Sequence, residues 1–446
     1  MKHLLFGLFI TLFSFAGISS FAQDSTLTGL PGEWSLEECI AYAKKNNIQL
    51  NTLRLSTASA EQDLIQARAN QLPNLSGSIS QTLVNSKNTD PVVGGFQTQS
   101  SFSSGYGISS STILFNGGYL KNDIRSKQLS VESANLSVQE SANEVTLSIT
   151  QAFLNILLAR ENITTLTEIV NTTQAQLKQG QQRYDAGSIA RKDLLQLESQ
   201  LASDNYNLVN ANNAYRSNLA SLKQILQLPT NYNLSIEIPD KVEPTQAVQP
   251  LSEAQQLAID SRPEVRNSEL GVKISEVELA KIKAGRLPTI SVGAGLSSGY
   301  SYNTTTKYIS QLNNNFYQSV GVTVSIPIFS RKQNKTNIAR SQILIEQNKL
   351  ALLNTKTVLN QQVEQAYINL QNAVAQYSAA EKQLDAARQS YQITNEELKL
   401  GSLNTLELLQ QKTTYVQATQ AYVQAKYGAI LYNKIYDFYA GMPVTF

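Results

Sequence analysis

The sequence predicts a mainly α-helical chain with a transmembrane β-barrel portion: a trimeric, twelve-strand barrel on a long antiparallel coiled-coil α-helical tunnel, with an internal two-fold repeat. Three observations carry that prediction. Apolar residues recur every seven positions at Ile149, Ile156, Ile163, Val170, Leu177 and Tyr184, which keeps one seam of a helix against a partner and winds the pair left-handedly. Strand-like stretches set apolar residues on one face against small polar residues on the other. Finally, the whole arrangement occurs twice: Arg183, Gly187, Asp193 and Leu195 align with Glu397, Gly401, Glu407 and Leu409, 214 positions apart (401 less 187). A near-constant offset over such a length marks a duplication, which has to be recognised before a fold is assigned.

The first long helix is predicted from Gly118 to Tyr184, 67 residues or roughly 100 Å at the helical rise. Its seam repeats at the same offset as Val363, Leu370, Tyr377, Leu384, Tyr391 and Leu398. Residues 36–71 read as one helix stopped at Leu72-Pro73. A strand over 74–84, a polar loop through Asn85, Lys87, Asn88, Asp90 and Pro91, and a second strand over 102–115 follow. A turn at Gly187 leads into a returning helix over 190–228, with Leu194, Leu201, Leu208, Tyr215 and Leu222 as its seam. These elements make a first repeat over 36–228. Pro229, Pro239, Pro244 and Pro250 mark 229–250 as a linker. The second repeat, 251–440, reads as helix 251–286, strands 289–302 and 316–329, long helix 331–397, a turn at Gly401 and helix 404–440, before a tail over 441–446.

The second pair of strands shows the alternation most clearly. Ile290, Val292, Ala294, Leu296 and Tyr300 oppose Thr289, Ser291, Gly293, Gly295 and Ser297, while Val320, Val322 and Val324 oppose Ser319, Gly321 and Thr323. An apolar face against small polar residues is the pattern of a barrel strand with lipid outside and water inside. A soluble sheet with one wet face shares the alternation, but the small inward residues and the N-terminus favour the membrane. Four strands cannot close a barrel, and open edges are not tolerated in lipid. Two chains would give a plugged eight-strand barrel; three give twelve strands and a lumen. The helices over 36–71 and 190–228, stacked end to end, match one long helix, so each half supplies two helical columns.

Residues 1–22 read as a secretory signal peptide: a basic start, an apolar run to about Ile18, and small residues at Ser20 and Ala22. Residues 23–35 then form an N-terminal segment. Of 446 residues, one is Cys and one is His, and the net charge is +2, which argues against a nucleic-acid partner. Cleavage would remove His3, leaving a chain that cannot build a His-based nucleophile or a His-ligated metal site. No constellation able to carry chemistry is found, no cofactor is implied, and an enzyme is disfavoured. Cys39 reads as a small apolar residue on a helix face.

The chain resembles the TolC family of outer-membrane efflux proteins. The resemblance rests on Leu36 to Ala43, Arg68 to Pro73, Leu114 to Gly118, Arg183 to Gly187 with Asp193 to Leu195, and their partners in the second half. It implies a homotrimer whose barrel sits in the outer membrane of a Gram-negative bacterium, in contact with its lipid, above a tunnel crossing the periplasm. It further implies a duct for small molecules, metals or proteins, in efflux or type I secretion, with a periplasmic membrane-fusion adaptor and an inner-membrane transporter. Many efflux members are lipidated at an N-terminal cysteine; Gln23 departs from that pattern. A trimeric coiled-coil surface or structural protein is the alternative, sharing the heptads but not needing two strand pairs at a fixed offset.

Two sites follow. Gly187, Ser188, Ile189, Leu400, Gly401, Ser402 and Leu403 form the hairpin tips, where exposed apolar side chains suit an adaptor. Asp185, Arg191, Asp193, Lys399 and Glu407 beside the turns are gate candidates. Asp193 aligns with an acidic gate residue of the family's archetype, whereas Leu398, Leu403 and Gln410 stand where that archetype has Tyr, Arg and Asp. The alternative is that these charges are simply solvated.

Overall fold

The computed structural model describes residues 31–89, 94–239, 249–302, 304–400 and 402–444. The expected signal peptide, Asp90 and Pro91 of the first strand loop, the middle of the linker, Gly401 and the last two residues of the tail lie outside them. The elements run α1 Leu36–Asn46, α2 Ile48–Ala69, β1 Asn74–Thr89, β2 Phe96–Phe115, α3 Tyr119–Asp185 and α4 Arg191–Leu226, then α5 Leu251–Ser261, α6 Pro263–Ala284, β3 Thr289–Ser301, α7 Tyr308–Asn314, β4 Tyr317–Ser325, α8 Gln333–Lys399 and α9 Thr405–Tyr439. Helices α3 and α8 are each 67 residues long.

Each expected opening helix is in fact two. Ser35 starts α1 with a reciprocal cap, its Oγ accepting from Glu38 N while its N donates to the Glu38 carboxylate. Asn47 then leaves the helix at φ −60°, ψ 127°, and its side chain accepts from Leu50 N to start α2. In the second half Arg262 takes the extended conformation before Pro263, which opens α6. Strands β1 and β2 are longer than expected and consume most of the polar loop: Lys87 pairs with Thr98 and Thr89 with Phe96. Strand β4 is shorter, ending at Ser325, and the β3–β4 connection contains the unexpected short helix α7.

The four strands form one antiparallel sheet in the order β1-β2-β3-β4. Cross-strand partners share a face, so the register builds rows across the sheet. Leu75, Ser110, Ala294 and Val320 form one row, and Gly77, Ile108, Leu296 and Gln318 another. On the opposite face lie Ser76, Ser109, Gly295 and Ser319, then Ser78, Gly107, Ser297 and Tyr317. One face therefore carries most of the aliphatic side chains; the other is mostly Ser, Gly and Thr, with Val84, Ile113 and Tyr317 as exceptions. A Cβ on Gly105 would meet Ser80 Oγ at 2.8 Å, so that hydroxyl would have to turn aside.

The apolar core forms a belt partway down the long helices, away from both the strands and the tips. Trp34, Cys39, Leu50, Phe153, Ile156, Leu222 and Ile236 belong to one cluster, and Ala258, Val363, Leu370 and Tyr436 to a second. The start of the expected linker is part of this core. Trp34 bridges Ile236, with Trp34 N donating to Ser235 O and Glu237 N to Trp34 O, both at 2.9 Å. Helix α4 packs along the second half of α3, and α9 along that of α8, leaving two hairpins that project from the belt.

Toward the tips a second heptad position becomes the buried one. Ala152, Ala159, Leu166, Thr173 and Gly180 on α3 are buried, and so are Ala366, Ala373, Ala380, Ala387 and Thr394 on α8, each 214 positions on. The expected seam residues Ile163, Leu177, Leu384 and Leu398 are only half-buried there. Small residues at this register let neighbouring helices approach closely.

Candidate functional site at the hairpin tips

The two tips share a pair of serine hydrogen bonds. Gly187 takes φ +74°, which ends α3, and Ser188 donates through N (2.8 Å) and Oγ (2.9 Å) to Arg183 O. Ser402 makes the same two bonds to Glu397 O, at 3.0 and 2.8 Å. Asn404 caps α9 by accepting from Glu407 N. Ile189 folds back toward Gly180, whose missing side chain admits Leu197: a Cβ there would lie 2.5 Å from Leu197 Cδ1. Leu403 is half-buried, whereas Leu400 is 84% exposed.

The tip charges are engaged on their own hairpins. Asp185 accepts from Gln181 Nε2 (2.8 Å), and Arg191 lies over the Tyr184 ring at 5.7 Å. Asp193 Oδ2 accepts from Ala190 N (3.3 Å), satisfying an amide at the start of α4. Lys399 pairs with Glu396 at 2.7 Å, and Glu407 accepts from Asn404 Nδ2 at 3.2 Å. Among the described residues these five groups are not brought together within the protomer.

Other side chains join the two hairpins. Arg183 donates to Leu398 O (3.3 and 3.4 Å) and to Lys399 O (3.4 Å), tying the end of α3 to that of α8. Gln176 Nε2 donates to Tyr391 OH at 2.9 Å, and the Tyr391 ring stacks on Tyr415 with 5.3 Å between centroids. A further link is buried. Lys412 of α9 donates from Nζ to Asp204 Oδ2 of α4 at 2.6 Å and to Thr173 Oγ1 of α3. Gln200 Nε2 supplies Asp204 Oδ1 with a further donor at 2.8 Å. Lys412, Asp204 and Thr173 are 2%, 3% and 0% exposed. Burial pulls the Lys412 ammonium below the usual lysine range, while its bond to Asp204 and that carboxylate's charge oppose the shift.

The heptad spacing did not reveal this cluster, because Lys412 and Asp204 read as ordinary helix-surface charges. The duplication held the available signal: the positions 214 residues on from Thr173 and Asp204 are Ala387 and Ala418, both buried. A polar residue standing where its repeat partner is a packed alanine has to find a partner of its own.

No group of three or more His, Cys, Asp or Glu side chains able to hold a metal occurs among the described residues. The Cys39 thiol is buried and pushed up to about 12, chiefly by desolvation, which keeps it protonated and inert. No described helix is long and apolar enough to cross a membrane. The sheet, with one aliphatic face, is the part of the chain suited to lipid.

A sequence profile of the outer membrane efflux protein family matches residues 39–227 and 254–430. The chain belongs to that family. This efflux channel is 22% identical over 412 residues to the outer membrane efflux protein BepC of Brucella suis biovar 1, an alignment covering 91% of this chain and 85% of BepC. The fold of the channel is that of CusC (TM-score 0.79, 18% identity, 92% and 93% of the two chains covered). It is likewise that of CmeC from Campylobacter jejuni (0.77, 16%, 92% and 87%), and of the open state of MtrE from Neisseria gonorrhoeae (0.75, 18%, 92% and 90%). The protein is thus an outer-membrane efflux channel reaching into the periplasm, and not an enzyme.

Proposed function

We propose that three copies, each an internally duplicated chain, assemble edge to edge into a twelve-strand barrel above a tunnel of paired helices, and that the tips dock a periplasmic membrane-fusion adaptor linked to an inner-membrane transporter. The observation that carries this reading is the sheet. Its two faces divide into aliphatic and Ser/Gly/Thr rows, and β1 and β4 are both left as open edges. An open edge in hydrocarbon is costly enough that another copy has to complete it. The Ser/Gly/Thr face then lines a lumen with little bulk, as an export duct requires.

The tips are the proposed adaptor site, with Leu400 as its most exposed apolar anchor. They are also the proposed gate. The Lys412–Asp204–Thr173 cluster, with the Gln176–Tyr391 and Arg183 links, holds the two hairpins of a protomer together. In this reading the charges at Asp185, Arg191, Asp193, Lys399 and Glu407 exchange their partners within each hairpin for neighbouring copies. Docking would open the duct by favouring a second arrangement of the hairpins.

The test is the mass of the detergent-solubilised channel together with its conductance in a planar bilayer. The expected result is a trimer that conducts in discrete steps. A monomer, or a trimer with no conductance at any voltage, would overturn the reading; a coiled-coil surface fibre would give the latter.

A further inference from the structure

We infer that the turn joining β4 to α8 binds the headgroup of an anionic phospholipid in the periplasm-facing leaflet of the outer membrane. The inference rests on the orientation proposed above, with the aliphatic rows of the sheet facing lipid.

The chain after β4 leaves large apolar side chains in the open. Ile328 is 95% exposed and Phe329 82%. By spacing, Ile326 and Ile328 continue the outward row of Val320, Val322 and Val324, so the patch is continuous with the lipid-facing surface.

Two cations follow immediately. Arg331 and Lys332 are exposed, and among the described residues neither side chain has an ion pair or hydrogen bond. Both hold left-handed backbone conformations, at φ +47° and +64°. In the first half the corresponding positions, 214 residues earlier, are Gly117 and Gly118, at φ +65° and +86°. The turn is the same, and glycine makes it without steric cost. Arg and Lys do not, so the second half keeps two strained cations where the first half shows that glycine suffices. Strain at non-glycine positions persists where the side chain serves an interaction.

The surroundings match a phosphate. Asn334 Nδ2 donates to Gly285 O at 3.0 Å, which brings the α6–β3 turn and the exposed Arg286 to the start of α8. Lys335 adds another exposed cation in the first turn of that helix. Helix α8 begins at Gln333 without a side-chain cap; Gln333 N donates to Ser330 O at 2.8 Å, and the positive end of the helix dipole lies beside the same turn. Exposed aliphatic and aromatic groups directly beside unpaired Arg and Lys form the chemistry of an acyl-chain and headgroup boundary.

The test is reconstitution of the full-length channel in nanodiscs of phosphatidylcholine alone or with phosphatidylglycerol, reading lipid retained by native mass spectrometry and the melting temperature. A cation near an anionic surface contributes roughly five-fold in binding. The wild-type channel is therefore expected to prefer phosphatidylglycerol by roughly 25-fold and to melt higher in its presence. The double variant Arg331→Gly/Lys332→Gly should lose that preference and that rise, yet melt higher than wild type in neutral detergent, because its backbone strain is gone. Equal retention of both lipids by wild type, or an undiminished preference in the double variant, would overturn the proposal. So would loss of the oligomer in the variant, which would assign the two cations to a neighbouring copy, or an equal rise from soluble glycerol phosphate in phosphatidylcholine discs. Failure of the wild-type channel to insert or conduct would instead refute the orientation on which the inference rests.

Discussion

Replacing Lys412 by Met tests the buried link between the hairpins while nearly preserving volume. In the wild-type chain the ammonium has Asp204 Oδ2 at 2.6 Å and Thr173 Oγ1 as acceptors, and the three residues are almost wholly inaccessible. Lys412→Met leaves Asp204 with donors from Thr173 and Gln200 but no countercharge. Leaving one member of a buried ion pair alone costs about 3–5 kcal/mol, and the retained donors place this site near the lower bound. The loss falls on the packing of α9 against α3 and α4, so the hairpin should loosen before the belt melts. The doubly apolar variant Lys412→Met/Asp204→Leu removes both charges and should recover to within about 1 kcal/mol of wild type. The measurements are thermal melting by circular dichroism and single-channel conductance of all three proteins. The expected outcome is a lower melting temperature and raised conductance for Lys412→Met, with melting restored in the double variant. A single variant that melts and conducts as wild type, or a double variant as impaired as the single one, would refute the assignment of this cluster as the link.

The same lysine implies a pH dependence. Its value is lowered in the folded protein, so between that value and the ordinary 10.5 the unfolded chain binds more protons. Its contribution to stability therefore rises with pH across that window and is flat below it; Lys412→Met should remove that rise in melting scans taken from neutral to alkaline pH. Gly180→Ala should cost about 1–3 kcal/mol through overpacking, since the new Cβ meets Leu197 Cδ1 at 2.5 Å; an unchanged melting temperature would show that Leu197 moves aside freely. Leu400→Asp and Leu403→Asp should both abolish export while leaving the channel in the outer membrane. Only the half-buried Leu403 should also cost stability, and normal export by Leu400→Asp would sink the docking assignment. Asp193→Ala should raise conductance and sensitise cells to large antibiotics; conductance like that of wild type would confine Asp193 to satisfying Ala190 N.

What could be read from the sequence was whatever repeats locally. The seven-residue period marks helices because side chains three and four apart share a face, and the two-residue alternation of β3 marks a strand because the pleat turns each side chain over. The offset of 214 needed no structure at all. The upper parts of β1 and β2 were missed because Asn85, Ser86 and Lys87 are polar on both faces, so no alternation marks them. Arg262-Pro263 carried a readable break that the surrounding helical pattern obscured, while Asn47 breaks its helix through a side-chain bond that few sequence cues announce. The cluster of Thr173, Asp204 and Lys412 was beyond periodicity altogether. Period and propensity describe each helix alone, whereas the burial of a lysine depends on which residues of two other helices arrive at its level, and that is decided only when the hairpins pack together.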